Sequence, residues 1–156
     1  MDVPVIATRH VQKNFGDIAE EIKSVDHPGR KLFDKTKFSM LEDPVLAHLK
    51  SLGSERDQIV LYGVEAHVCV KQTCFDLMDM GYNVHLVIDA LSSMNHHDRN
   101  TGIESMKLNG AQVTTFQSLA FEMMRDYTHP LFKSVFPLIK DMPAEGHIDI
   151  FYHPNM

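Results

Sequence analysis

No stretch of the 156 residues approaches the roughly 20 consecutive apolar residues that a membrane-spanning helix needs. The opening run, Met1-Asp2-Val3-Pro4-Val5-Ile6, lacks the basic flank and the length of a secretory signal. Together these absences lead to the expectation of a cytoplasmic protein with no membrane partner. Positive charge is also scarce: 15 Lys and Arg stand against 21 Asp and Glu, for a formal net charge of −6. That balance disfavours nucleic acid and anionic surfaces as partners. Cysteine is limited to Cys69 and Cys74. On one helix the two would diverge by about 140° at 3.6 residues per turn, so neither a disulfide nor a shared metal is expected between them.

What is present is the composition of an ordinary globular protein, 44% hydrophobic and 23% charged. A chain of this length forms one domain and buries roughly two thirds of its unfolded surface. Apolar, β-branched runs alternate with amphipathic stretches, which predicts βαβ units in a three-layer α/β/α fold around a central parallel sheet. Strands are predicted at 3–8, 58–62, 83–88 and 112–115. The middle two are nearly continuous in Val, Ile and Leu, and are expected at the sheet's centre, buried on both faces. Helices are predicted at 44–52, 67–80, 96–109 and 117–125, closed by Gly53, Gly81 and Gly110, with Asn95 capping the third. Residues 14–37 read as an irregular crossing segment with a short helix at 18–23. Beyond Asp126 the prolines predict a chain that wraps the surface and frays, ending in a tail at 147–156.

The chemistry concentrates in Ile59-Val60-Leu61-Tyr62-Gly63-Val64-Glu65-Ala66-His67-Val68-Cys69-Val70-Lys71-Gln72-Thr73. A buried strand ends at Gly63, and a helix begins with Cys69 in or near its first turn. There, unpaired N–H groups and the positive end of the helix dipole favour a thiolate over a thiol. The crevice beyond the carboxyl ends of parallel strands is also where ligands bind in such sheets. A cysteine flanked by two valines at such a junction is more commonly core, so the pattern alone leaves the nucleophile the minority reading for Cys69. Cys74 is assigned to the core.

Gly63-Val64-Glu65-Ala66-His67-Val68-Cys69-Val70, followed by Thr73 and Asp76-Leu77, resembles the nucleophile segment of the isochorismatase-like cysteine hydrolases. The resemblance extends to Lys35-Thr36-Lys37-Phe38-Ser39-Met40, to Val87-Ile88-Asp89-Ala90-Leu91-Ser92-Ser93, and to His129-Pro130-Leu131-Phe132-Lys133. The last of these is similar to the eukaryotic isochorismatase domain-containing subgroup. The resemblance covers residues 1–146 and implies an amide-, ester- or vinyl-ether-type hydrolase acting on a small molecule. Cys69 would be the nucleophile, with Lys35 rather than Lys37 as the lysine that favours the thiolate. It also implies a non-proline cis peptide at Val64–Glu65 and an oxyanion hole from the N–H groups of Ala66 and Cys69.

The same resemblance includes a first strand ending in Asp-x-Gln and a following helix, neither of which this chain shows. The domain is therefore expected to be N-terminally incomplete, and the family's general base falls on none of Asp2, Asp17, Asp26 or Asp34. With no tryptophan in the chain, the metal site of nicotinamide-hydrolysing relatives is unsupported, and neither metal nor cofactor is expected. Most of the ten histidines read as surface or loop residues, with His10 singled out because it follows the first strand. The competing reading is a non-catalytic binding or oligomerisation domain, a pseudoenzyme or truncated isoform. It takes the missing Asp and Met78, Met80, Met123 and Met124 as its support; self-association is expected in either case.

Overall fold

The computed structural model describes residues 3–25, 27 and 29–141. Asp2, Asp26, the 146/147 boundary and the tail lie outside them. The elements run β1 (Val5–His10), α1 (Gln12–Phe15), α2 (Glu20–Lys23), β2 (Arg30–Lys35), α3 (Asp43–Ser51) and β3 (Gln58–Gly63). After a π-helical turn (Ala66–Val70) come α4 (Lys71–Asp79), β4 (Asn83–Leu91), α5 (His96–Leu108), β5 (Gln112–Thr114), α6 (Phe116–Met124) and α7 (Phe132–Lys140). All strand pairs are parallel, which agrees with the predicted α/β class.

Instead of one sheet there are two, β1-β2 and β3-β4-β5. The prediction that β3 and β4 share the centre is corrected accordingly: β4 is central, while β3 is an edge among the described residues. The burial of β4 explains its place. Val84, Leu86, Val87 and Leu91 are all buried, and α4, α5 and α6 each pack on it. Leu77, Cys74, Ile103 and Met106 close over the same strand to form the core. At 20–60 cal/mol per Å², each such side chain contributes about 2 kcal/mol or more to stability.

Two elements lie where irregular chain was predicted. β2, Arg30-Lys31-Leu32-Phe33-Asp34-Lys35, has no β-branched residue. It is a strand because it pairs in register with β1, from Val5 with Arg30 to His10 with Lys35. α7 forms despite Pro137 in its interior, with Phe132 stacked on Phe136 and in ring contact with Phe121 and Tyr127. Gly53, Gly81 and Gly110 do hold positive φ of 96°, 91° and 108° where helices end. Asn95 sits at the start of α5 but makes no cap bond, because its amide donates to the Asp98 carboxylate instead. The four methionines divide: Met124 is buried, Met78 packs on the core, and Met80 and Met123 are exposed.

Candidate active site

The exits of β3 and β4 are tied together by backbone. Ser92 N–H donates to Gly63 O at 3.1 Å and Ala66 N–H to Ser92 O at 2.9 Å. The Ala66 N–H expected in the oxyanion hole is thus already engaged. Between these bonds the Val64–Glu65 peptide is cis. The π-helical turn follows, with Val68 and Val70 N–H both donating to Glu65 O, and carries Cys69 to a half-buried position before α4. Gly102 of α5 lets that turn sit close: a Cβ there would lie 2.7 Å from His67 Cα.

Thr73 fastens a second segment to the turn. Its hydroxyl donates to Cys69 O at 2.6 Å and accepts from Met40 N–H at 2.9 Å. The loop so anchored begins at Lys35, the last residue of β2, which is only 5% exposed. The Lys35 ammonium donates to Lys37 O at 2.9 Å and Phe38 O at 2.8 Å. It also lies 3.6 Å from Cys69 Sγ and 3.3 Å from His10 Nδ1. Lys37 contributes its carbonyl while its side chain is exposed. Glu42 holds the loop by accepting from Lys37 N–H at 2.6 Å and Thr36 N–H at 2.7 Å, and these bonds draw its carboxyl below the usual range.

The structure therefore brings Lys35 and Cys69 together from segments 34 residues apart. Cys74, one helical turn on, is fully buried, and burial pushes its thiol up to about 11. Asp17 and Asp34 turn elsewhere, both pairing with Arg9, and the Arg9 bond holds the Asp17 carboxyl well below the usual carboxylate range. Among the described residues no carboxylate forms an ion pair with Lys35. Two surface cavities, one along α5 at Asn100 to Asn109 and one between α6 and α7, do not include Cys69. Glu42 and Thr73 were not read from sequence as site residues. Thr73 was legible only as part of the motif, and Glu42 only once β2 had fixed where the loop starts.

The molecule is an α/β protein whose parallel strands present, at their carboxyl ends, a turn that carries Cys69 beside the buried Lys35. Residues 1–118 match the Isochorismatase domain family, and the chain belongs to that family of hydrolases. It is 41% identical over 143 residues to the "Secreted isochorismatase effector Isc1" of Phytophthora sojae, covering 90% of this chain and 68% of the relative. It is 36% identical to "Isochorismatase domain-containing protein 2" of Xenopus laevis, covering all of this chain and 75% of that protein. Among solved structures, that of "MAR1 Ribonuclease from Caenorhabditis elegans" superposes with a TM-score of 0.86 at 36% identity, over 94% of this chain and 74% of the other. The fold likeness extends, at 20% identity and a TM-score of 0.73, to an octameric hydrolase of Escherichia coli, over 90% of this chain and 76% of that one.

Proposed function

We propose that the protein is a hydrolase of small amide, ester or vinyl-ether substrates, with Cys69 as nucleophile and Lys35 as the cation that stabilises its thiolate. The supporting observation is the Lys35 ammonium, buried and 3.6 Å from Cys69 Sγ. With an amide or ester, sulfur attacks the carbonyl carbon and the π electrons move onto oxygen; as they return, the amine or alcohol leaves with the proton the thiol gave up. Water then cleaves the thioester, its hydroxyl going to the acid and its remaining proton to sulfur. With a vinyl ether, the thiol adds across C=C, sulfur to the oxygen-bearing carbon and the proton to the other; water then replaces the alcohol, and the adduct collapses to a ketone and the free thiol. With Ala66 N–H engaged by Ser92, the Cys69 N–H is the remaining backbone donor for the oxyanion, a role usually worth a few kcal/mol. The net charge of −6 favours a small substrate over the RNA implied by the name of the Caenorhabditis relative.

The second reading, a binding domain without turnover, is favoured by one observation: no described carboxylate pairs with Lys35. A panel of small amides and activated esters, with RNA as a separate arm, distinguishes these readings. Turnover that drops about 1,000-fold in Cys69→Ala and about 10- to 100-fold in Lys35→Ala supports the hydrolase. Turnover unchanged in Cys69→Ala contradicts it, and binding without turnover across the panel supports the second reading.

A further inference from the structure

His10 is held with unusual care for a residue at a strand end. Its ring lies 5.5 Å from that of Phe38, stacked at 30°, and 5.4 Å from that of Phe15 on the other contact. Phe15 is 73% exposed and Phe38 51% exposed, so neither is placed by the core. Phe15 returns to His10 because Val11 turns the chain with φ 41°, a left-handed conformation that a β-branched residue rarely adopts. Val11 N–H then donates to Lys35 O at 3.0 Å, fixing the turn against β2.

The ring held in this way faces Lys35. An ammonium has three N–H donors, yet four acceptors surround this one: Lys37 O, Phe38 O, His10 Nδ1 and Cys69 Sγ. The two carbonyls, at 2.8 and 2.9 Å, take two donors. The imidazole and the sulfur, at 3.3 and 3.6 Å, share the third. Other charge near His10 is already paired, since Arg9 on the same strand is bound by Asp17 and Asp34.

We propose that His10 is the positioning residue that readies Cys69, accepting through Lys35 the proton that the thiol gives up. This rests on Cys69 being the nucleophile. One Lys35 N–H bond breaks first, its electron pair stays on nitrogen, and that proton joins His10 Nδ1, which accepts in the Nε2–H tautomer. The amine lone pair then takes the thiol proton while the S–H electron pair stays on sulfur, which restores the ammonium. Thiolate, ammonium and imidazolium result, with net charge unchanged.

The test is the rate of Cys69 alkylation by iodoacetamide across roughly pH 5 to 9, with Cys74 as internal control. His10→Phe keeps a ring between Phe15 and Phe38 and removes the proton acceptor. His10→Asn keeps a hydrogen-bond acceptor but cannot take up the proton. Both variants are expected to slow Cys69 labelling about tenfold at neutral pH and to move the rate profile to higher pH, with the melting temperature and the Cys74 rate unchanged. A wild-type profile in either variant overturns the proposal. Failure of Cys69 to label in the unaltered protein would instead overturn its assignment as nucleophile.

Discussion

Glu42 performs no chemistry of its own, yet one of its oxygens holds the two peptide N–H groups at the start of the Lys35 loop. Its pKa is lowered from 4.5 in the fold, first by the Lys37 N–H and then by that of Thr36. A group depressed on folding contributes stability above its unfolded pKa, and that contribution disappears as pH falls through the folded value. Glu42→Gln is therefore expected to melt at a lower temperature than the unaltered protein at neutral pH. The gap should narrow as the pH falls below the ordinary glutamate value and close once it has passed the depressed folded one. A gap that persists unchanged in acid, followed by circular dichroism, contradicts this role. At this scale the sequence singled out Cys69 and Lys35, which the fold brings to 3.6 Å, because each lies in a motif resembling a known family. It did not disclose what surrounds the ammonium, because the carbonyls of Lys37 and Phe38 and the ring of His10 converge only after β1 and β2 pair.

The π-helical turn is the element on which the site depends, and its closeness to α5 rests on one missing side chain. Gly102→Ala would place a methyl 2.7 Å from His67 Cα, a backbone atom that cannot yield without moving the turn. The variant is expected to lose about 1–3 kcal/mol of stability in urea unfolding and to label Cys69 more slowly. Stability and labelling both at the unaltered level would show that the packing is looser than this geometry requires. Strands β3 and β5 and helices α3, α5 and α6 were legible from hydrophobic period and closing glycines, each within about two residues, while β4 starts as predicted and runs three residues further, to Leu91. β2 was not, because its apolar residues number two among four charged ones and its pairing is with a strand 25 positions away. α7 was hidden by Pro137, whose disruption of the helix is offset by the stacked rings of Phe132 and Phe136 that precede it.

The whole molecule separates its two cysteines by environment although they share one helical stretch. Cys74 belongs to the core built on β4, and its thiol donates to Met78 Sδ at 3.6 Å. Cys69 faces the junction of the two sheets, where β2 ends and β3 delivers its turn. The folded architecture, more than the local sequence Cys-Val-Lys-Gln-Thr-Cys, leaves one thiol half-buried and the other fully buried. The most direct measurement is brief iodoacetamide labelling of the native protein at neutral pH, followed by peptide mass mapping. The account predicts carbamidomethyl on Cys69 within the time that Cys74 remains unmodified, with Cys74 labelled only after unfolding in denaturant. Equal and slow labelling of both cysteines in the folded protein would contradict it.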